Sequence, residues 1–394
     1  MAVKIVRQAN KIALLGAPTS AAAMSAGHEG APAALRAAGL AERLREIGYD
    51  VADLGDDPVQ LFKPDDESPR ARNLSRVIAA LEALKPRVEL AVKSSALPLI
   101  LSGDCSIALA TVAGARRYFR KVSMIYMDAD ADLNTPATTP SGCVDGMVVS
   151  HLTGRGAAEM VRFWGEPPLV REPDLAIFGV ARLDPLEEQA LGGSPLRRFL
   201  AADVKRLGPA AAAHAAIDRI QGNGYQFVLH FDVDVIADFP ATNYPNSGGL
   251  SLEQVREALL VFAQQKELAA LEVTAYNPAK DPDGSGAKLI IDLLVEALAA
   301  RLAALKTPEV AADVPAAAVA AAASQSAGAS STKNAAPAAE PEPKAEPELP
   351  AVTEGEAWSS ESLEESADLA ADSESSESDS EDSAAPEESS GSHS

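Results

Sequence analysis

The sequence predicts an α/β fold with a mostly parallel sheet, and two observations lead to this prediction. Six short apolar runs are spaced along the first three hundred residues, and helical patterns rich in Ala and Leu separate them. Strands that alternate with helices in this way return to the sheet in the same direction, so neighbouring strands run parallel. In such sheets, ligands bind beyond the carboxyl ends of the strands.

The predicted strands are short and almost wholly apolar. Continuous apolar runs of this length are typical of strands that are covered by helices on both faces of a sheet. The runs span residues 11–17, 97–103, 122–128, 174–180, 226–232 and 269–275.

The predicted helices have apolar residues at helical spacing. The clearest patterns span residues 31–48, 73–94 and 251–267. The last pattern begins with Ser251, and Gln254 follows at the spacing of a capping box, which marks the start of a helix. Together, the strands and helices predict a single domain over residues 8–305, which is long but admissible for one domain.

The end of the chain has a different composition. The 394 residues carry a formal net charge of −23, and residues 307–394 hold 20 acidic and 2 basic side chains, a charge of −18 that leaves −5 for the rest. This segment has few apolar residues other than Ala, so it cannot bury enough surface to offset its ordering entropy. We therefore expect a disordered tail over residues 306–394, Ala/Pro-rich and then acidic, that improves solubility or contacts a basic partner.

Composition also argues against several classes of protein. Two cysteines, Cys105 and Cys143, are too few for a disulfide-built secreted domain. The start of the chain lacks the apolar core of a signal peptide, and no window has the length of a membrane span. An acidic chain without a basic patch argues against nucleic-acid binding. We expect a soluble, cytoplasmic protein.

Two clusters of aspartates follow predicted strands. Asp128, Asp130 and Asp132 alternate after one apolar run, and Asp232 and Asp234 do so after another. Alternate residues of a strand share a face, so each cluster gathers its carboxylates on one side. Such carboxylates repel and protonate unless a cation neutralises them, and Mn²⁺ or Mg²⁺ prefer oxygen ligands. The pattern favours a metal site over the alternative of a solvated acidic turn.

Several motifs occur in the order found in one enzyme family. The motifs are SGDCS, DADADLNTPATTPSGCVDGM, HFDVD, GGLS and EVTAYNP. In this order they resemble the ureohydrolases, the family of arginase and agmatinase. The resemblance covers the whole predicted domain and implies a three-layer α/β/α fold. It also implies two manganese ions that activate a water to hydrolyse a linear guanidino or amidine substrate, with release of urea, in a homo-oligomer that is a trimer or hexamer.

The resemblance implies metal ligands residue by residue. Four aspartates match the family pattern, whereas two positions that are histidines in the family are substituted, and we expect the substitutes to act as ligands. The matching ligands are Asp128, Asp132, Asp232 and Asp234, and the substitutes are Cys105 and Asp130.

The resemblance also implies catalytic and substrate-binding residues. Asp145 stands where the family has a histidine that is proposed to relay protons, and Glu272 is a candidate for the late catalytic glutamate, although an alignment on Asn-Pro places Ala275 there instead. Residues that match substrate-binding positions are Asn134, Ser141 and Asp184.

The substitutions leave two functions open. A thiolate and a carboxylate in place of two imidazoles strengthen cation binding but weaken the Lewis acidity of the ion, and Cys105 suits Fe²⁺ or Zn²⁺ better than Mn²⁺. The first interpretation is a divergent hydrolase that uses metal-bound hydroxide. The second is an inactive pseudoenzyme, with or without metal, that acts as a scaffold or regulatory subunit. His230 shares a face with Asp232, so it is either a replacement ligand or a structural, buried histidine.

Overall fold

A computed structural model of the chain describes residues 8–220 and 225–306. It has eight strands in this part of the chain, all in one sheet. The strands are β1 Lys11–Ala17, β2 Asp50–Asp56, β3 Leu97–Ser102, β4 Val122–Met127, β5 Leu175–Phe178, β6 Arg197–Phe199, β7 Gln226–Asp232 and β8 Leu268–Thr274. Their order across the sheet is β2-β1-β3-β8-β7-β4-β5-β6, and every neighbouring pair is parallel.

Helices cover both faces of the sheet. They are α1 Ala31–Ala37, α2 Leu40–Glu46, α3 Leu74–Lys93, α4 Ala108–Arg116, α5 Val148–Leu152, α6 Ala158–Val161, α7 Pro185–Gly192, α8 Ala201–Leu207, α9 Pro209–Ile220, α10 Leu252–Gln264 and α11 Ser285–Lys306. Strand β1 shows why three layers form. Ile12 and Leu14 join one apolar core with residues of α1, α2 and α9 to α11, whereas Ala13 and Leu15 join a second core with residues of α3 to α5. The predicted three-layer α/β/α fold with a parallel sheet is confirmed.

The six predicted strands are all present, but two strands were not predicted. Strand β2 has a single buried residue, Val51, and β6 is three residues long. Both lie at edges of the sheet. Edge strands with exposed side chains lack the continuous apolar run that identifies a buried strand.

The predicted helix starts and ends agree with the structure in one case and differ in another. Ser251 and Gln254 form the expected capping box at the start of α10. The single helix predicted over residues 31–48 is instead two helices, because Gly39 takes a left-handed conformation with φ of 89° between them. The predicted tail lies outside the described residues from residue 307 onward, whereas Lys306 is the last residue of α11.

The described helices include none that is long and apolar enough to cross a lipid bilayer. Polar residues gather at the carboxyl ends of the central strands. Strands β4 and β7 are hydrogen-bonded neighbours near the centre of the sheet, and the two aspartate clusters begin where these strands end.

Candidate metal centre

An acidic pocket of about 160 Å³ opens beyond the carboxyl ends of β4 and β7. Seven of its lining residues have carboxyl groups, and none is a lysine or an arginine. The lining residues are Met24, Cys105, Asp128, Asp130, Asp132, Asn134, Ser141, Cys143, Asp145, Gly146, Glu187, Asp232, Asp234 and Tyr244. The structure therefore brings all six predicted metal-ligand positions to one pocket.

Backbone hydrogen bonds hold the two aspartate clusters in place. The amide of Asp128 donates to the carbonyl of Phe178 on β5 at 3.1 Å, and the amide of Asp130 donates to the Asp128 carboxylate at 2.7 Å. In the second cluster, the Asp232 carboxylate accepts the amide of Asp234 at 2.7 Å. These short turns keep the carboxyl groups at the edge of the sheet rather than out in solvent.

The candidate ligands form two groups that share Asp128. The first, which we call the Cys105 group, consists of Cys105, Asp128, His230 and Asp232. The second, the Asp130 group, consists of Asp128, Asp130 and Asp234. Within each group, one potential ligand atom from each residue lies within 4.8 Å of the others. His230 is thus placed with the first group, whereas Asp132 lines the pocket but belongs to neither.

The carboxyl groups of the Cys105 group are buried close together, and no positively charged side chain of the described residues pairs with them. Burial, then the neighbouring Asp232 and Asp234, raise the pKa of Asp128 well above its usual range. Burial and Asp234 likewise raise the pKa of Asp232. Within residues 8–220 and 225–306, neither carboxyl group forms an ion pair with a lysine or arginine. Such a group either holds protons or requires a cation, so its buried oxygen donors fit a divalent metal ion.

Cys105 contributes a sulfur donor to the same group. It follows β3, and its thiol donates to the Asp232 carboxylate at 2.8 Å and approaches the hydroxyl of Thr274 at 3.3 Å. Burial and the charges of Asp232 and Asp145 raise the pKa of the thiol well above its usual value. A bound cation acts in the opposite direction, because metal ions bind and stabilise the thiolate. The donor set of one sulfur and several oxygens fits Mn²⁺, Fe²⁺ or Zn²⁺.

Asp132 is held by a tyrosine instead. The hydroxyl of Tyr126 donates to its carboxylate, and the residue takes a left-handed backbone conformation with φ of 50°. Burial and the charges of Asp145 and Asp130 raise its pKa. Tyr126 in turn stacks on the His230 ring, with centroids 4.2 Å apart.

Arg182 is a residue beside the pocket that the sequence analysis missed. Its guanidinium group binds Asp130 through two hydrogen bonds, Nε to Oδ1 at 2.8 Å and Nη2 to Oδ2 at 2.6 Å, and Nη2 also contacts Oδ2 of Asp234 at 2.6 Å. Burial lowers the pKa of Arg182, but the hydrogen bond to Asp130 and the charges of Asp234 and Asp130 outweigh burial and raise it. The available signal was its position, four residues beyond β5 at the same edge of the sheet.

Asp145 lies deep in the pocket, where we expected a proton-transfer group. Its carboxylate accepts the amide of Cys105 at 2.7 Å and the hydroxyl of Tyr244 at 3.4 Å. Burial and the charge of Asp104 raise its pKa well above the usual range. Tyr244, which no sequence pattern marks, is fixed by the amide of Met24 at 3.0 Å. Cys143 does not bond to Cys105, since both thiols are free.

Two of the three predicted substrate-binding residues line the pocket, and we call this part of it the mouth. Asn134 and Ser141 line it, whereas Asp184 lies behind Asn134 and accepts its amide at 2.8 Å. Asp184 also begins helix α7 through a capping box with Glu187, and Glu187 itself lines the pocket. The N-cap bond explains why an acidic residue is favoured at position 184.

The predicted catalytic residue Glu272 and the buried histidine His151 both lie away from the pocket. Glu272 is fully buried in β8, where its carboxylate is 3.3 Å from Nδ1 of His230, and it does not line the pocket. It therefore contacts a member of the Cys105 group rather than the space for a substrate. His151 is buried in α5, where its Nε2 accepts the amide of Ala157 at 3.1 Å, a structural contact.

Comparisons with known proteins agree on one family. A sequence profile of the Arginase family matches residues 10–300. The chain is 30% identical over 294 residues to an arginase of Bacillus subtilis (strain 168), which covers 74% of this chain and 98% of the relative. A crystal structure of arginase from Bacillus cereus superposes with a TM-score of 0.68 at 29% identity, covering 73% of this chain and 98% of the other. Formimidoylglutamase from Bacillus subtilis has the same fold, with a TM-score of 0.61 at 18% identity over 76% of this chain and 88% of that one.

Proposed function

Because the chain belongs to the arginase family, we propose that it is a metal-dependent hydrolase that releases urea from a small linear guanidino compound. The observation that carries this proposal is the Cys105 group, whose buried donors lack a cationic partner within the described residues. Cys105, Asp128 and Asp232 would hold the ion, with Asp132 and His230 beside them. When bound, a divalent ion polarises water and the guanidino group as a Lewis acid.

Residues of the chain supply proton transfer. Asp145 lines the pocket, and its carboxyl group is oriented by Cys105 and Tyr244. A buried carboxyl group with a raised pKa retains a proton at a higher pH than an ordinary one, so it can donate that proton to a leaving amine. In this role Asp145 replaces the imidazole that the family resemblance implies at its position.

Residues at the mouth select the substrate. Asn134 and Ser141 offer an amide and a hydroxyl to the far end of a substrate, and Glu187 adds a negative charge there. This set suits a compound whose other end carries hydrogen-bonding or positively charged groups. Asp184 acts through Asn134, whose amide it holds.

A urea-release assay tests the proposal. The full chain is incubated with arginine, agmatine and other guanidino compounds after addition of Mn²⁺, Fe²⁺ or Zn²⁺. The control variant is Asp57→Asn, which changes another buried carboxyl group, one that pairs with Arg87 away from the pocket. We expect metal-dependent urea release by the wild type and by the control. Absence of urea with every metal and compound overturns the proposal.

One observation favours a second candidate, the inactive family member. Arg182 already places a guanidinium group of the protein itself against Asp130 and Asp234, two of the carboxylates that line the acidic pocket. A chain of this kind would act by assembly, either with itself as a homo-oligomer or with an active relative. Light scattering of the purified chain, alone and mixed with an active arginase, measures both assemblies. Stable mixed oligomers together with no urea release would support this candidate.

A further inference from the structure

The two candidate ligand groups differ in the positive charge that reaches them. The Asp130 group contacts the guanidinium group of Arg182 through Asp130 and Asp234. The Cys105 group forms no such ion pair in the described parts of the chain. The guanidinium group therefore pairs with the two carboxylates that belong to the Asp130 group alone.

Arg182 is held firmly in this position. Three of its contacts go to the carboxylates of Asp130 and Asp234, and Nη1 donates to the carbonyls of Tyr244 at 2.8 Å and Pro245 at 3.4 Å. Every nitrogen of the guanidinium group thus has an acceptor. Since a planar guanidinium group binds a carboxylate best through two parallel bonds, the arrangement with Asp130 is a strong one.

The position of Arg182 conflicts with a metal ion at the Asp130 group. Such an ion would need oxygen atoms from Asp130 and Asp234, and Nη2 of Arg182 lies 2.6 Å from an oxygen of each. A guanidinium group and a divalent ion a few ångströms apart in a partly buried pocket repel each other strongly. A divalent ion would have to displace the side chain or bind elsewhere.

Arg182 also gives Asp130 a role. By the family resemblance, position 130 would hold an imidazole, and a neutral imidazole cannot form two parallel bonds with a guanidinium group. A carboxylate can, and Asp130 does so. The two residues form a matched pair in which the substitution at position 130 provides the partner for the guanidinium group.

We propose that Arg182 takes the place of one metal ion, so that the chain binds a single divalent cation, at the Cys105 group. This inference rests on the proposed function only for the metal dependence of that group. Asp128, which both groups share, would then contact the ion on one side and lie beside the Asp130–Arg182 pair on the other. The site would then hold one metal ion at the Cys105 group and the guanidinium group of Arg182 at the Asp130 group.

The experiment counts the equivalents of Mn²⁺, and in parallel of Zn²⁺, that the full chain retains after dialysis, by elemental analysis. Asp128→Asn removes the shared ligand and provides the baseline for ions held weakly elsewhere on this acidic chain. We expect one equivalent for the wild type, two for Arg182→Met, and one for Arg182→Lys, which keeps the positive charge.

Arg256→Met is the matched control. Arg256 also joins two carboxylates, Glu253 and Glu296, and its side chain is 31% exposed, against 34% for Arg182. We expect it to retain one equivalent, as the wild type does.

The counts separate this inference from the proposed function. A gain of one equivalent in Arg182→Met supports the inference, even if no urea release is found. Two equivalents in the wild type, or no gain in a folded Arg182→Met, overturn the inference and leave a metal-dependent hydrolase standing. If circular dichroism shows that Arg182→Met does not fold, the wild-type count decides, with one equivalent supporting the inference and two rejecting it.

Discussion

The Cys105 group and the Asp130 group share Asp128, yet the protein compensates their negative charge in different ways. The Asp130 group contacts the guanidinium group of Arg182. The Cys105 group is buried, and its carboxyl groups have raised pKa values because desolvation and mutual repulsion disfavour the charged forms. The difference teaches that five clustered aspartates do not imply equivalent metal sites. Under the proposal made above, only the Cys105 group binds a cation from solvent.

The largest expected effect concerns the shared ligand. Asp128→Asn should abolish metal binding and reduce urea release by at least about 100-fold, because it removes a ligand from the proposed ion. Asp130→Asn should retain its metal ion and lose less than about tenfold, since Asp130 contacts Arg182 instead. Metal content and steady-state rates of the two variants check this pair. Loss of metal in Asp130→Asn would contradict the difference between the two groups, because it would make Asp130 a metal ligand.

The next effect concerns folding stability. Arg182→Met should lower the free energy of unfolding of metal-free protein by about 2 kcal/mol, because it leaves the buried Asp234 without its cation. Arg256→Met, whose ion pairs lie on the surface, should change it by less than about 1 kcal/mol. Unfolding in urea measures both, and a guanidinium denaturant is avoided because it could enter the pocket. Equal effects in the two variants would argue that the Arg182 contacts are ordinary surface ion pairs.

A smaller effect has opposite signs with and without metal. In chelator-treated protein, Asp232→Asn should raise the free energy of unfolding by about 1 kcal/mol, because it removes a buried like charge and keeps an oxygen that can accept the Asp234 amide. With saturating Mn²⁺ the same substitution should be destabilising relative to wild type, since it removes a ligand. Thermal unfolding in both conditions is the measurement. A destabilised variant in the presence of chelator would show that Asp232 is not repelled.

The smallest expected effect is the pH dependence of the stability difference between Asp232→Asn and wild type in metal-free protein. The pKa of Asp232 is raised in the folded state, so its protonated form favours folding at low pH, and this contribution is lost as the pH rises through the folded-state pKa. Asp232→Asn lacks this loss. Without metal, its melting temperature should therefore exceed that of wild type by a margin that grows as the pH rises above about 4. If the difference in melting temperature shrinks as the pH rises, the pKa of Asp232 is not raised in the folded protein.

Much of the fold follows from the sequence because the central strands are buried on both faces. Their apolar runs are continuous, and the alternation of strands and helices fixes a parallel sheet. Strands β2 and β6 could not be found in this way, since edge strands expose side chains and carry a mixed pattern. The break at Gly39 was missed because the apolar pattern continues across it.

The site was predictable to a similar extent. The meeting of Asp128 and Asp232 in one pocket was predictable, because residues that follow parallel strands meet at the carboxyl ends of those strands. Arg182 was not, because its pairing with Asp130 and Asp234 depends on how the segment after β5 crosses towards β4 and β7. Glu272 illustrates the converse, since its sequence neighbours suggest the pocket whereas the strand register turns its carboxyl group towards His230.

Anomalous diffraction from crystals of the full chain soaked in Mn²⁺ tests the central claim most directly. We expect one anomalous peak, within bonding distance of Asp128 and Asp232 on the side of Cys105, and an Arg182 side chain that still contacts Asp130 and Asp234. Two peaks, or a single peak between Asp130 and Asp234 with Arg182 displaced, would contradict the claim that a guanidinium group takes the place of one metal ion.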